Sequence, residues 1–235
     1  MKVPRLSRAE TQERTHARLL AAGRVVFLRQ GFLAATVDEV AAAAGYTRGA
    51  VYKHFGGKEG LWQAILDATA DAHLAALTAA FAAARTRADL LTALDPARFA
   101  RRTGTATTTS PAEAGERAPG PVGADEEGAA GLVGEHDVAR WAVVGAEYLA
   151  AVANQPEHAA RLVALQHRLD AALAGLLAEH CPRLGVRPAV PIPELVVALG
   201  AFGGGLALLA AADPALDAGA VSDALLPVLL LEASR

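Results

Sequence analysis

The sequence predicts an all-α protein, and three observations support that prediction. Aromatic residues make up only 5% of the 235 residues, whereas Ala and Leu are abundant and runs of β-branched residues are short. That composition favours helices over sheets. Apolar residues recur at the three- and four-residue spacing of amphipathic helices. Thr at candidate helix starts and Gly at candidate helix ends supply the expected boundaries.

The first predicted helix spans residues 7–30. Its apolar residues form one stripe at helical spacing, and Gly31 suits the position that follows a helix. The stripe consists of Leu19, Ala22, Gly23, Val26 and Phe27. The basic residues before the helix are expected to form a loose arm.

Two short helices joined by a tight turn are predicted next. Thr36 and Glu39 have the spacing of a capping box, so the first of these helices begins after Thr36, and Gly45 ends it. Thr47 can cap the second helix, Arg48–Phe55. Because two helices this short are not stable alone, both must pack against the first helix.

The outward side of the predicted helix Arg48–Phe55 carries cationic, aromatic and very small residues. Arg48, Tyr52 and Lys53 point away from the expected core, beside the bare backbone of Gly49. The DNA major groove admits a helix of this kind, and its cationic side chains can reach base edges. A solvated helix face is the alternative explanation of the same charges.

The segment Thr36–Trp62, TVDEVAAAAGYTRGAVYKHFGGKEGLW, resembles the helix-turn-helix signature of TetR-family transcriptional regulators. The likeness is found in three runs: G-F-x-x-x-T from Gly31, G-x-T-x-G-A-x-Y-x-H-F from Gly45 and F-x-x-K-E-x-L from Phe55. The resemblance implies an N-terminal three-helix helix-turn-helix DNA-binding domain, expected over residues 1–57. It also implies a C-terminal helical regulatory and dimerisation domain, expected over 58–235.

The same resemblance also implies a function for the protein. It implies a sequence-specific DNA-binding transcriptional regulator, most often a repressor, that acts as a homodimer on a palindromic operator in double-stranded DNA. A small-molecule effector of unknown identity is implied as a second partner. The residues that the resemblance and the helix geometry assign to DNA are Thr36, Tyr46, Thr47, Arg48, Gly49, Tyr52, Lys53, His54 and Lys58.

Four of these residues have specific reasons or alternatives. Lys58 begins a predicted helix, where a cation is unfavourable unless an anion such as a phosphate lies nearby. Glu59, an acid that suits a helix start, is the alternative explanation for that position. Thr36 and Tyr46 offer hydroxyl donors to phosphates. His54 can instead be a packed part of the motif.

Charge is distributed unevenly along the chain. Residues 1–60 carry 10 Lys/Arg and 5 Asp/Glu, whereas the remaining residues carry 12 Lys/Arg and 20 Asp/Glu. The first quarter of the chain is therefore basic and the rest is acidic, and the whole chain has a net charge of −3. This asymmetry suggests that only the N-terminal part meets a polyanion. A scatter of solvated charges is the alternative, since the excess is modest.

The rest of the chain is predicted to form further helices on either side of one irregular segment. Residues 100–134 are rich in Gly, Pro, Thr, Ala and charge, so they are expected to form a flexible insertion within the C-terminal domain. Helices are predicted over 59–84, 89–99, 137–154, 156–180, 194–212 and 220–233, with a turn-rich connection over 182–193 and a kink at Pro227.

One predicted helix is apolar enough to be considered as a membrane span. Leu195–Ala212 has 18 uncharged residues in a row, but it is rich in Ala and Gly, has acidic flanks and lacks Lys or Arg anchors. A helix that is apolar all round can instead be buried between subunits. The resemblance implies a dimer interface there, with Phe202, Gly204, Leu206, Leu209, Leu225 and Leu229 as candidates; ordinary core is the alternative.

A ligand pocket is expected in the C-terminal domain because the resemblance implies an effector. Large or polar residues on otherwise aliphatic helices are the candidates, although each is individually more often a packed or exposed residue. They are Trp141, Glu147, Tyr148 and His167.

Enzymatic and metal-binding motifs are not found in the sequence. No G-x-S-x-G, P-loop or HExxH run occurs, and the His pairs with Asp137 and Cys181 lack the spacing of metal ligands. No cofactor and no metal are therefore expected. One cysteine excludes an intrachain disulfide and suits a reducing cytoplasm, and the basic N-terminus is not followed by the apolar run of a signal peptide. A helical interaction adaptor and a small-molecule enzyme remain alternative functions.

Overall fold

The computed structural model describes residues 7–95 and 135–232 of the chain. Within these residues the fold is helical, as predicted, with one short antiparallel ribbon. The helices are α1 Arg8–Gln30, α2 Val37–Ala44, α3 Arg48–Phe55, α4 Lys58–Ala83, α5 Arg87–Leu94, α6 Glu135–Val152, α7 Pro156–Arg183, α8 Ile192–Ala212 and α9 Ala218–Leu229; the strands are β1 Val186–Pro188 and β2 Leu230–Glu232. The expected insertion over 100–134 lies outside the described residues.

Local capping signals define the N-terminal helices. The Thr36 hydroxyl accepts a hydrogen bond from the Glu39 amide while the Glu39 carboxylate accepts one from the Thr36 amide, which is the predicted capping box. Gly45 ends α2 in the left-handed conformation. Thr47 occupies the N-cap of α3 but makes no side-chain capping bond. The bounds of α2 and α3 therefore agree with the sequence analysis.

Two hydrophobic clusters organise the packing. The first, here called the head cluster, joins α1, α2 and α3 to the beginning of α4 and to α6, with Phe27, Val51, Trp62 and Tyr148 fully buried. The second, the body cluster, joins the end of α4 to α5, α7, α8 and α9. Helix α4 thus links the two clusters, and α6 contributes residues to the core of the N-terminal helices. The division of the chain into domains at residue 57 stays a prediction.

The ribbon was not predicted. Strand β1 pairs with β2 in the register Val186 with Glu232 and Pro188 with Leu230, so the expected turn region contains a strand and the expected helix over 220–233 ends at Leu229. The Arg87 side chain explains part of this ending, because its guanidinium donates to the carbonyls of Pro227 and Leu230. A long-range partner of this kind leaves no local signal in the sequence.

Helix α5 also departs from its expected bounds. It begins at Arg87 because Thr86 and Asp89 form a capping box, and it ends at Leu94. The observed start therefore lies two residues before the expected start at residue 89, because of this capping box.

Helix α8 presents much of its apolar surface to solvent. It is long and apolar enough to cross a membrane, with a mean hydropathy of 2.2, and 11% of its most apolar window is buried in the single chain. Helices of soluble proteins can meet the same criteria. The exposed apolar side chains on α8 and α9 are Val197, Leu208, Leu209, Leu225 and Val228.

Candidate nucleic-acid interface

Helix α3 is held against α1 and α4 by its inner side. Val51 is fully buried in the head cluster, and the ring of Phe55 lies 4.6 Å from the ring of His16 on α1. At the other end, Gly60 in the first turn of α4 touches the backbone of Phe55 so closely that a Cβ at position 60 would overlap its carbonyl oxygen. The turn between α3 and α4 therefore requires glycine at this position, which the sequence analysis did not single out.

The outer side of α3 is exposed, as predicted. Thr47, Arg48, Gly49, Tyr52 and Lys53 are all exposed, and together they form a continuous surface at the start and middle of the helix. The phenol of Tyr52 is large and apolar yet 45% exposed. Because the helix beneath is fixed on both sides, these side chains project from a rigid support.

Arg48 already has partners in the free chain. Its guanidinium donates to the Asp38 carboxylate on α2 at 3.2 Å and to the Tyr52 hydroxyl at 3.2 Å. It also lies 5.3 Å from the centre of the Tyr52 ring, within range of a cation–π interaction. Both members of the ion pair are more than half exposed, so water weakens the pair and a stronger anion can displace Asp38.

Lys58 makes contacts that were not predicted. Its ammonium donates to the carbonyl oxygens of Phe32, Leu33 and Ala35 at 2.9, 3.3 and 3.1 Å. An ammonium has three N–H donors, so these bonds occupy all of them. A direct hydrogen bond from Lys58 to a phosphate therefore requires the exchange of one of these bonds, and its role at DNA stays a prediction.

The remaining candidates lie at the border of this surface. The Thr36 hydroxyl is exposed but donates to Glu39 at 2.8 Å, and the Tyr46 hydroxyl lies 3.4 Å from the hydroxyl of Thr15. His54 is half-buried, with its ring centre 5.9 Å from that of His16. Burial, and then the neighbouring His54, lower the pKa of His16, so His16 adds no positive charge to this surface at neutral pH.

Three of the four predicted ligand residues lie on α6 at its contact with the N-terminal helices. The Trp141 ring stacks on Trp62 with centres 4.9 Å apart, and the buried Tyr148 hydroxyl is hydrogen-bonded to the Gln63 amide oxygen at 3.1 Å. Glu147 accepts a hydrogen bond from the Leu33 amide at 3.1 Å. His167 is exposed on α7 and is not brought together with the others.

Two buried donors stand out in this contact. The indole N–H groups of Trp62 and Trp141 are both buried and have no hydrogen-bond partner in the described part of the chain. A buried donor without an acceptor costs about 1–3 kcal/mol. A molecule carrying hydrogen-bond acceptors would remove that cost if it entered between the helices. Sequence reasoning identified Trp141 but missed Trp62 and Gln63, since they belong to the regular apolar side of α4.

A separate cleft of about 130 Å³ lies between α5 and α9. None of the four predicted ligand residues lines it. Its walls include the buried Asp95 and Ser222 side chains and the apolar Leu91 and Leu226. Across residues 7–95 and 135–232, no group of three or more His, Cys, Asp or Glu side chains could hold a metal ion.

The predicted dimer residues divide into two groups. Gly204, Leu209 and Leu225 are exposed, whereas Leu206 is buried within its own chain. Phe202 and Leu229 pack partly against the body cluster. The exposed group is therefore available to a second chain, and the others support the helices from beneath.

A family of known proteins resembles the N-terminal region of the chain. Residues 19–65 match the family model described as "Bacterial regulatory proteins, tetR family". This stretch therefore resembles the N-terminal part of TetR-family regulators. The match covers α2 and α3 entirely, together with the adjoining parts of α1 and α4, and so includes the whole exposed surface of α3.

The alignments with curated relatives cover a similar short stretch. The transcriptional regulator SrpR of Pseudomonas putida is 48% identical over 62 residues, which is 26% of this chain and 29% of SrpR. The chain thus aligns with less than a third of the length of that relative. SrpR is named as a transcriptional regulator.

Solved structures extend the likeness to the whole fold. E. coli NemR in its reduced form superposes with a TM-score of 0.65 at 16% identity, covering 94% of this chain and 99% of NemR. FadR of Bacillus subtilis in complex with stearoyl-CoA superposes with a TM-score of 0.55 at 13% identity, covering 90% and 96% of the two chains. The helical C-terminal part therefore shares the fold of these two proteins.

Proposed function

We propose that the protein is a sequence-specific DNA-binding transcriptional regulator that acts on a palindromic operator as a homodimer in the cytoplasm. The observation that carries the proposal is the exposed surface of α3, where Arg48, Tyr52 and Lys53 project from a helix fixed by Val51 and Gly60. Such a helix fits the major groove and presents donors to base edges and phosphates. The TetR-family resemblance favours repression as the outcome.

The exposed apolar surface of α8 and α9 supports a homodimer. Leu209 is 61% exposed and Val228 is 61% exposed, although both are large apolar residues. A Cβ at Gly204 would meet no atom within 4 Å, so a second helix can approach closely there. Burial of this surface by a second copy would explain why a helix of such hydropathy is exposed in the single chain.

A small-molecule effector is the second partner we propose. The structurally similar FadR was crystallised in complex with stearoyl-CoA, which supports the proposal of a ligand site in this fold. In this chain, the unpartnered indole N–H groups of Trp62 and Trp141 favour a planar molecule with hydrogen-bond acceptors. The chain has two Trp residues and both lie at this contact, so intrinsic fluorescence reports on ligand binding there.

The proposed mechanism is a change in the separation of the two heads. A dimer reads two half-sites when its recognition helices lie about 34 Å or a related distance apart. An effector that favours another separation weakens DNA binding, and DNA then weakens effector binding by the same factor. Helix α4, which belongs to both hydrophobic clusters, is the element that would transmit the change.

Selection of bound fragments from a random duplex pool tests the proposal. The wild-type chain should enrich a motif with two-fold symmetry. Tyr52→Ala should then lose more affinity for that motif than for random duplex, because Tyr52 belongs to the base-reading surface. Absence of any enriched motif, together with salt-independent binding, would favour a protein-interaction adaptor. Turnover of a bound small molecule would favour an enzyme.

Asp38→Asn should strengthen DNA binding by about two- to fivefold for all sequences. Asp38 is a carboxylate 3.2 Å from the Arg48 guanidinium on the proposed DNA surface. Its removal takes away a repulsion toward phosphates and frees Arg48. Fluorescence anisotropy on the selected duplex and on random duplex checks this, with Asp71→Asn on α4 as a matched control. Weaker binding by Asp38→Asn would show that the carboxylate positions Arg48 for DNA.

A further inference from the structure

Helix α6 contacts the end of α1 through Arg140. The Arg140 guanidinium donates from Nε to the carbonyl of Leu28 at 2.9 Å and from Nη2 to the carbonyl of Arg29 at 3.3 Å. These carbonyls belong to the last turn of α1, where no further helical N–H groups follow. A cation is favoured at this end of a helix because the carbonyl groups carry partial negative charge.

Glu147 makes the matching contact on the other side of the α1–α2 junction. Its carboxylate accepts a hydrogen bond from the Leu33 amide at 3.1 Å. Gly31 lies between the two contacts with φ of +90° and ψ of 164°, a conformation that side chains rarely adopt. A Cβ at Gly31 would also lie 2.7 Å from the Glu147 carboxylate, so the junction and the acid approach each other closely.

The two side chains are placed to act together. Arg140 and Glu147 are seven residues apart, so they lie two turns apart on the same side of α6. The cation meets carbonyl oxygens and the anion meets an amide N–H, so each charge faces its complement. Trp141 and Tyr148, each one residue further along, anchor the same helix on Trp62 and Gln63 of α4.

We propose that Arg140 and Glu147 are positioning residues that form an interdomain clasp and set the orientation of α2 and α3 relative to the body. This inference rests on the proposed function, because the clasp would set the distance between the two α3 helices of the proposed dimer. The clasp holds the junction from which α2 and α3 continue, about one helical turn before Thr36. The Phe32 ring of the junction also contacts the Tyr148 ring of α6, with centres 5.1 Å apart. An apolar contact of this kind tolerates sliding, whereas the directional bonds of the clasp do not.

Removal of the clasp should weaken the preference of the protein for one spacing between the two half-sites. A head free to tilt reaches half-sites at several separations, but each bound geometry then costs more conformational entropy. Affinity for the best spacing falls while affinity for random duplex stays the same, since the DNA-contacting side chains are unchanged. The discriminating quantity is the ratio of affinities for the selected operator and for the same operator lengthened by two base pairs.

The experiment compares Arg140→Ala/Glu147→Ala with Arg187→Ala/Glu232→Ala. The control pair lies on the ribbon, where both side chains are exposed. We expect the spacing ratio to fall at least fivefold in the first variant and to match wild type in the second. An unchanged spacing ratio in the clasp variant would overturn the inference. If wild type selects no motif, the proposed function fails instead, and the next measurement decides the clasp.

Hydrogen exchange at the Leu33 amide tests the clasp without DNA. Glu147→Ala should accelerate exchange at this amide by about tenfold, because the N–H loses its acceptor. Glu147→Gln keeps an acceptor oxygen and should restore slow exchange. Exchange at Leu33 that is the same in all three chains would contradict the inference. Thermal unfolding of each variant confirms that the comparison is made on folded protein.

Discussion

Gly60→Ala is expected to abolish operator binding. The new Cβ would overlap the carbonyl oxygen of Phe55, which is rigid backbone, so the turn between α3 and α4 must open. Overpacking of this kind typically costs about 1–3 kcal/mol and occasionally more. The α3 helix would shift with its last turn, and its outer surface would no longer match the major groove. Thermal unfolding and anisotropy on the selected duplex measure both effects.

Gly175→Ala is the matched control for this prediction. Gly175 also lies inside a helix, α7, but a Cβ there meets no atom within 4 Å. Alanine should be neutral or stabilise the chain by up to about 1 kcal/mol, since Ala has the higher helix propensity. DNA binding should not change. A Gly60→Ala chain with wild-type stability and affinity would mean that the α3–α4 turn adapts and does not fix α3.

Leu209→Asp is expected to convert the proposed dimer to a monomer. Leu209 is 61% exposed on α8, in the surface that we propose a second copy covers. Burying an unpaired carboxylate is strongly unfavourable, so dimerisation should weaken on the order of 100-fold. Operator affinity should fall as well, because a single head loses the benefit of binding two linked half-sites. Sedimentation velocity over a concentration series measures the oligomeric state.

Val25→Asp is the control for the dimer prediction. Val25 is 62% exposed on α1, among the N-terminal helices rather than on α8 or α9. The same new charge should leave the oligomeric state unchanged there. A Leu209→Asp chain that sediments like wild type would place the dimer contact elsewhere, or would show that the protein is a monomer.

The N-terminal helices were predictable because their signals are local. The capping box of Thr36 and Glu39 starts α2, and Gly45 ends it, so each signal lies within a few residues of the boundary that it sets. The structure has α2 and α3 at the expected bounds. The exposed surface of α3 followed from the same periodicity. Family resemblance was concentrated in this segment, so sequence and comparison agree on it.

Contacts between distant segments were not predictable from one sequence. Lys58 was assigned to a phosphate from its place at a helix start, yet its ammonium is bound by carbonyls more than twenty residues earlier. Glu147 was read as a ligand residue because an acid on an apolar helix is conspicuous, and its partner is the amide of Leu33. Both residues are unusual for their positions in the sequence, but their partners depend on tertiary packing.

The salt dependence of binding to the selected duplex, measured for wild type and for Arg48→Ala/Lys53→Ala, tests the central claim most directly. Each cation that neutralises a phosphate contributes about −0.9 to the slope of log affinity against log salt concentration. If both cations of α3 face DNA, the double variant should lose on the order of 100-fold in affinity, and its slope should become shallower by up to about two units. Equal affinity and equal slope in the two chains would contradict the assignment of the α3 surface to DNA.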